Sequence, residues 1–206
     1  MRRSIDIIIS LTAALILTPV ALVTAVAVRV SIGSPVLFLQ RRSGMDDKPF
    51  TIIKFRTMLP EAFAGQDERE RRTRVGDLLR ATGLDEIPQL WNILRGDMSV
   101  IGPRPTLPEQ VEIYTARQRG RLAIRPGLTG WAQVNGRNSI DWPERIELDL
   151  WYIENRSLGV DLKILTLTAA RLLWPRGVYG ADGLNPDPPG MSPAQTGPAH
   201  RSTPSA

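Results

Sequence analysis

LDEIPQLWNILRGDMSVIGPRP, residues 84–105, joins a helix pattern, an acid pair and a proline-flanked arginine in one stretch of this 206-residue chain. Its apolar residues have the i, i+3, i+4, i+7 spacing of one helical face: Ile87, Leu90, Trp91 and Leu94. Pro88 suits the first turn of a helix, and Gly96 suits the end of one. The pattern predicts a helix with Asp85 near its N-cap and Glu86 in its first turn.

The acid pair and the arginine each have a structural and a chemical explanation. Asp85 and Glu86 could cap free backbone N–H groups and oppose the helix dipole. The same position keeps a carboxylate ionised, as a nucleophile on phosphorus or a ligand of Mg²⁺ must be. Arg104, between Pro103 and Pro105, is either part of a rigid turn or a pre-ordered guanidinium suited to bidentate phosphate recognition.

The composition excludes several kinds of catalysis. There is no cysteine, so disulfides, thiol nucleophiles and thiolate metal sites are absent. The only histidine, His200, lies in a polar tail, so neither a histidine base nor a Ser-His-Asp triad is expected. The sequence has no P-loop, no G-x-G-x-x-G and no H-E-x-x-H pattern. Any catalysis therefore rests on carboxylates, Arg, Lys, hydroxyls and a hard cation.

The charge balance points to an anionic partner. The formal net charge is +5 and the pI is about 10.2, which fits nucleic acid, anionic lipid or a phosphorylated substrate. The basic residues do not interleave with aromatic residues as they do in RNA-binding strands. No nucleic-acid partner is therefore expected.

Ile5–Val28 is an apolar run long enough to cross a hydrocarbon core of about 30 Å. It is longer than a usual signal-peptide core, and no small-residue cleavage site follows it. Pro19 lies inside the run after Thr18, and proline kinks or breaks a helix. Basic residues flank both ends: Arg2, Arg3, Arg29, Arg41 and Arg42. The residues alone leave open a kinked single span and a hairpin that enters and leaves by one face.

Short strands and helices are predicted for the first part of the remaining chain. Val36–Gln40 and Phe50–Phe55 are predicted to form a hairpin around a polar turn at 42–48. The charged run at 66–74 is predicted to be the solvated face of a helix that ends near Gly83.

Two later helices are predicted from capping boxes, Thr106 with Glu109 and Asp141 with Glu144. The glycine-rich segment between them, 125–137, is predicted to be a loop. Asp161 is predicted to cap a last helix that stops before Pro175. Residues 181–206, rich in Pro and Gly, are predicted to be a disordered tail.

Three blocks give the chain its resemblance to a known family: KFRTM at 54–58, the stretch at 84–105, and RPGLTGWAQVNGR at 125–137. With the apolar segment before them, in this order, they resemble the bacterial sugar transferase family. These are monotopic phosphoglycosyl transferases that begin lipid-linked glycan assembly, and the length here resembles the minimal members. The resemblance reaches about Trp174.

The resemblance implies an α+β, mostly helical fold. Residues 1–33 would form a re-entrant membrane helix, broken at Thr18–Pro19 where the family commonly has Ser-Pro. Residues 34–180 would form the catalytic domain, with a short β-hairpin and several amphipathic helices packed at the membrane interface. The tail at 181–206 would lie outside it.

The resemblance also implies a mechanism. Asp85 would attack the β-phosphate of a UDP-sugar and release UMP, forming a covalent phosphosugar-aspartyl enzyme. Polyprenyl (undecaprenyl) phosphate would then accept the sugar phosphate. Glu86 would hold Mg²⁺, and Arg104 would contact phosphate. Further candidate substrate-binding cations near the motifs are Lys54, Arg56, Arg80, Arg125 and Arg137, although a solvated surface role is the plainer explanation for any one of them.

The expected location is the bacterial inner (cytoplasmic) membrane, with the catalytic domain on the cytoplasmic face. There the reaction would be the first membrane step of glycoconjugate or exopolysaccharide biosynthesis. The sequence leaves open which sugar is transferred and whether the chain is a homodimer. The alternative function is a non-catalytic, membrane-anchored assembly protein of the same fold.

Overall fold

The computed structural model describes residues 2–63, 66–136 and 140–173. Within them the fold is α+β and mostly helical, as predicted. The helices are α1 (Arg2–Ser31), α2 (Arg74–Thr82), α3 (Gln89–Arg95), α4 (Pro108–Glu112), α5 (Ala116–Arg119), α6 (Trp131–Asn135), α7 (Trp142–Glu154) and α8 (Leu158–Leu173). The strands are β1 (Leu37–Ser43), β2 (Pro49–Phe55), β3 (Ser99–Ile101) and β4 (Gly127–Thr129). The predicted tail at 181–206 and Arg137 lie outside the described residues.

The predicted hairpin is confirmed, with longer strands than expected. β1 and β2 pair antiparallel, from Leu37 opposite Phe55 to Ser43 opposite Pro49. The turn is correspondingly shorter and contains a 3₁₀ segment, Met45–Asp47. The hairpin matters for the chemistry because Lys54 lies near the end of β2.

The prediction of a helix over the charged run at 66–74 was wrong. Residues 68–71 form turns and Arg72 forms an isolated β-bridge with Met58. α2 begins only at Arg74, where the Thr73 hydroxyl caps it by accepting a hydrogen bond from the Gly76 N–H at 3.0 Å. The helix ends as predicted at Gly83, whose φ of 72° is left-handed. The capping threonine, rather than the charge pattern, therefore sets the start of the helix.

The acid pair lies just before α3 rather than in its first turn, which corrects the predicted boundary. Leu84–Glu86 form a 3₁₀ turn, and α3 begins at Gln89. No side-chain hydrogen bond caps either element, so the carboxylates do not act as helix caps. The predicted stop at Gly96 is confirmed, with a φ of 96°.

The predicted loop at 125–137 contains a strand and a helix, so that prediction was wrong. β4 pairs parallel with β3, with Ser99 opposite Gly127, and α6 follows. A Cβ on Gly127 would lie 2.0 Å from the Gly102 nitrogen. The glycines, which made this segment resemble a loop in the sequence, therefore permit the close approach of two backbones.

The predicted caps of the later helices have mixed outcomes. Asp141 caps α7 as predicted, with Oδ1 accepting from the Glu144 N–H at 2.8 Å. The Thr106 cap was wrong: Thr106 is buried and its carbonyl accepts from the Ser43 N–H, while α4 begins at Pro108. The Asp161 cap was also wrong, because this residue lies inside α8 and accepts a hydrogen bond from the Tyr152 hydroxyl at 2.7 Å.

The long apolar segment forms one helix, α1, which runs through Thr18 and Pro19 without the predicted break. The Thr18 hydroxyl donates to the Ala14 carbonyl at 2.6 Å. Pro19 has no N–H, so the carbonyl of the next residue, Leu15, lacks its usual helical donor. By length and composition α1 could cross a membrane. The structure supplies no observation of a re-entrant arrangement, which stays a prediction.

α1 contacts the rest of the chain near both of its ends. Near its start, the buried Asp6 carboxylate accepts hydrogen bonds from the Ser99 hydroxyl and the Val100 N–H, each at 2.9 Å. Near its end, Val28 packs in an apolar cluster with Leu79 of α2. The helix therefore lies along the remainder of the fold instead of projecting from it.

One face of α1 stays exposed and apolar, while the other joins the main core. The exposed residues include Ile8, Leu11, Leu15, Ile16, Leu22, Val23, Val26 and Val30. The core itself draws on β2, α3, β3, α6, α7 and α8 through Ile52, Leu90, Ile93, Met98, Val100, Ile101, Val134, Tyr152 and Ile164. The segment that carries the acid pair is thus anchored between the core and α1.

Candidate active site

Two separate elements bring cationic side chains to one carboxylate oxygen on a third. The Lys54 ammonium, from β2, donates to Glu86 Oε1 at 2.9 Å. Arg104, from the turn after β3, donates through Nη2 to the same oxygen at 3.0 Å. The Lys54 side chain is 16% exposed and that of Arg104 is 44% exposed, so the cluster opens to solvent beside the arginine. The structure thus brings together three residues singled out in the sequence.

The two cations keep Glu86 ionised. Burial acts to raise the pKa of Glu86, but the charges of Lys54 and Arg104 outweigh it and hold this pKa at about 2. Burial lowers the pKa of Lys54 against the pull of Glu86. The Glu86 charge in turn raises the pKa of Arg104. Glu86 is therefore an anion at every physiological pH.

Asp85 has a different environment from its neighbour. It is 8% exposed, and among the described contacts no hydrogen bond reaches its carboxylate. Burial, followed by the charge of Glu86, raises the pKa of Asp85 to about 6. At pH 7 about nine-tenths of such a group is ionised. A buried, weakly stabilised anion of this kind is suited to nucleophilic attack, and such a split of two pKa values is typical of an acid pair with two roles.

Arg121 holds the Arg104 turn in place, and no sequence pattern indicated this role. Its Nη2 donates to the Arg104 carbonyl at 3.1 Å, and its Nε donates to Asp149 Oδ2 at 2.7 Å. Its Nη1 donates to the Tyr114 hydroxyl at 2.7 Å. Arg121 and Asp149 are only 2% and 1% exposed. No signal in the basic segment around Arg121 marks it as buried, because its partners are distant in the sequence.

Arg42 is a second cation that sequence reasoning missed. It donates through Nη1 to the Pro105 carbonyl at 3.3 Å and through Nη2 to Gln40 Oε1 at 2.6 Å. Burial, and then the positive charge of Arg104, lower the pKa of Arg42 to about 10. Two guanidinium groups therefore lie close enough to repel each other, an arrangement that an anionic ligand would stabilise.

The other predicted cations lie at varying distances from the cluster. Arg80 donates through Nε to the Thr57 hydroxyl at 2.9 Å, and its charge acts to lower the pKa of Asp85. Arg56 follows β2, and its backbone N–H donates to the Val36 carbonyl at 2.9 Å. Arg125 does not join the cluster: it donates to the Gly96 carbonyl at 2.8 Å, at the end of α3.

The donor set fits a magnesium ion that is shared with a substrate. No group of three or more acidic or histidine residues lies together in the described parts of the chain, so a closed protein cage is not present there. Mg²⁺ typically takes one or two carboxylates and completes its shell with substrate phosphates and water. Asp85 and Glu86 supply that number of carboxylates, and Glu86 was the ligand predicted.

Comparison with known proteins shows the family to which the chain belongs. The sequence model of the bacterial sugar transferase family matches residues 1–175. An uncharacterized sugar transferase, EpsL of Bacillus subtilis, is 46% identical over 175 residues, covering 82% of this chain and 87% of that protein. The UDP-glucose:undecaprenyl-phosphate glucose-1-phosphate transferase of Caulobacter vibrioides is 40% identical over 191 residues, covering 86% of this chain and 72% of that protein.

A third relative extends the match to a larger protein. The UDP-glucose:undecaprenyl-phosphate glucose-1-phosphate transferase of Escherichia coli is 40% identical over 181 residues, which cover 82% of this chain and 39% of that protein. The match therefore takes in most of this chain and less than half of the larger protein. On the family match and these relatives, the chain is a transferase that belongs to the bacterial sugar transferase family.

Proposed function

We propose that the chain is a phosphoglycosyl transferase, which moves a sugar 1-phosphate from a UDP-sugar to polyprenyl phosphate. The observation that carries the proposal is the placement of Asp85, buried and without a described hydrogen-bond donor, beside a Glu86 that is fixed by two cations. A relative from Klebsiella pneumoniae that is 42% identical over 180 residues is named for UDP-glucose and undecaprenyl phosphate, which supports these two substrate classes.

In the first half of the reaction, an Asp85 oxygen attacks the β-phosphorus of the UDP-sugar. The bond from this phosphorus to the bridging oxygen breaks, and UMP leaves with that oxygen. In the second half, a phosphate oxygen of the polyprenyl phosphate attacks the same phosphorus. The bond to Asp85 then breaks, which restores the carboxylate and gives a polyprenyl-diphosphate sugar.

The other residues of the cluster stabilise charge and geometry. Arg104 is the most exposed of the cations and is suited to bind phosphoryl oxygens in a bidentate manner. Lys54 holds Glu86 in place, and Arg121 fixes the backbone that presents Arg104. A bound Mg²⁺, held by Glu86, would offset negative charge on the phosphoryl oxygens.

The proposal includes a monotopic placement at the inner membrane, with α1 entering and leaving by the cytoplasmic face. The contacts of both ends of α1 with the rest of the fold support it, since they keep both ends on the side of the membrane where the remaining chain lies. The exposed apolar face of α1 would then meet lipid.

Single cysteines at Ser4 and Ser31 in this cysteine-free chain test the monotopic placement. Labelling of both from the cytoplasmic side is expected, and labelling from opposite sides contradicts the placement.

The activity is tested by UMP release from a panel of UDP-sugars, with polyprenyl phosphate and Mg²⁺ present. We expect release with at least one UDP-sugar, dependence on both additions, and loss of turnover in Asp85→Asn. Full turnover by Asp85→Asn would contradict the nucleophile assignment. No release with any sugar or acceptor would favour a non-catalytic assembly protein of the same fold.

A further inference from the structure

Gln89, the first residue of α3, carries a buried amide with an unused donor. The residue is 2% exposed, and its Nε2 has no hydrogen-bond acceptor among the described residues. Asn92, one turn later, shows the ordinary arrangement: its Nδ2 donates to the Thr51 carbonyl at 2.7 Å, and its Oδ1 accepts from the Ile53 N–H at 3.1 Å. Buried amide donors nearly always have partners, so the lone donor of Gln89 requires an explanation.

The backbone places Gln89 about one helical turn after the acid pair. The chain stays right-handed between the 3₁₀ turn and α3, with φ and ψ of −52° and −42° at Ile87 and −62° and −18° at Pro88. Residues four apart lie on one side of such a segment. Asp85 and Gln89 have this spacing and are both buried. Side chains on a helix lean toward its N-terminus, which for Gln89 is the direction of the Asp85–Glu86 turn.

The donors and acceptors at this turn are unevenly matched. Lys54 and Arg104 both donate to Glu86 Oε1. The Asp85 carboxylate takes no hydrogen bond among the described contacts, and Gln89 Nε2 makes none. A phosphoryl group that arrived at Asp85 would bring non-bridging oxygens, which are acceptors of the kind that the amide lacks.

We propose that Gln89 is a catalytic residue whose Nε2 donates to a non-bridging oxygen of the phosphoryl group that Asp85 attacks. The inference rests on the proposed function and adds a residue to it. The amide would act as a neutral, pre-positioned donor that meets charge as the phosphorus becomes five-coordinate. Its burial removes competition from water, and its neutral charge leaves the ionisation of the acid pair intact.

The test is Gln89→Met, which keeps the length of the side chain and removes both polar atoms. We expect kcat for UMP release to fall by about 100-fold, the usual loss for one oxyanion donor. We expect the Tm of the variant to equal or exceed that of the wild type, because an unpartnered buried amide has been replaced by an apolar group. A purely structural glutamine would give the opposite result, a lower Tm with activity falling in parallel.

Leu90→Met is the matched control, a similar change at the next residue, which faces the core. It is expected to retain activity. Gln89→Glu, which offers negative charge where the phosphoryl oxygen would lie, is expected to lose at least as much activity as Gln89→Met. Wild-type turnover by Gln89→Met would overturn the role of Gln89 alone. A loss of activity that is explained by a lowered Tm would do the same. Absence of UMP release by the wild type would overturn the proposed function as well.

Discussion

Asp85 and Glu86 are adjacent in the chain, yet their carboxyl groups have pKa values of about 6 and about 2. The difference arises because Glu86 accepts from both Lys54 and Arg104, whereas Asp85 is buried beside a second negative charge. Each residue thereby fits one role. Glu86 is a fixed anion suited to bind a cation, and Asp85 is a less stabilised anion suited to attack phosphorus.

The first prediction at this scale concerns pH. Asp85 attacks only when ionised, and its raised pKa means that about half of it is protonated at pH 6. The kcat/KM for UMP release should therefore rise with pH through about 6 and level off about one unit above it. Lys54→Met should move this limb to higher pH, because the Lys54 charge acts to lower the pKa of Asp85. A limb near pH 4, unchanged in Lys54→Met, would contradict the assignment.

A second prediction concerns the buried ion pair behind Arg104. Asp149→Asn removes the charge that compensates Arg121, which is 2% exposed, and should lower the free energy of unfolding by about 3 kcal/mol. Glu147→Gln is the control on the same helix, since its ion pair with Arg117 is exposed and should contribute nothing measurable. Denaturant unfolding in detergent compares the two. Equal effects would refute a special role for the buried pair.

At the scale of elements, the parallel pairing of β3 with β4 positions the Arg104 turn. Gly127→Ala would place a methyl carbon 2.0 Å from the Gly102 nitrogen, so it should separate the strands, lower the Tm and reduce activity. Gly159→Ala, in the first turn of α8, meets no atom within 4 Å and should leave the Tm unchanged or raise it. A thermal scan that found Gly127→Ala as stable as Gly159→Ala would show that the pairing is not needed.

α1 is joined to this small sheet by a polar contact. Asp6→Ala would leave the Ser99 hydroxyl and the Val100 N–H buried without their acceptor, at a cost of about 1–3 kcal/mol for each group. Ile8→Ala removes a side chain that is 64% exposed on the same helix and should change stability little. Limited proteolysis in detergent should cut Asp6→Ala faster. Equal rates for the two variants would mean that the contact does not hold α1.

At the scale of the whole molecule, local patterns were predictable and distant contacts were not. The hairpin, the stops at Gly83 and Gly96, and the Asp141 cap depend on neighbouring residues, and the sequence predicted them. The Thr106 cap failed because β1 takes the Thr106 carbonyl. The parallel sheet was missed because it requires two glycine segments to meet.

The site shows the same division. Lys54, Glu86 and Arg104 were found because each lies in a block that resembles the family, and the structure brings them together. Arg42 and Arg121 were missed because nothing near them in the sequence distinguishes a buried guanidinium from a solvated one. Their partners, at Pro105 and Asp149, are 63 and 28 residues away.

The central claim is that Asp85 forms a covalent bond to phosphorus, and intact-protein mass spectrometry tests it most directly. The protein is incubated with its UDP-sugar and Mg²⁺ in the absence of polyprenyl phosphate. A mass increase of one sugar phosphate is expected, on a peptide containing Asp85, absent in Asp85→Asn and discharged when polyprenyl phosphate is added. Turnover by the wild type without any such adduct, or an adduct that persists in Asp85→Asn, would contradict the account.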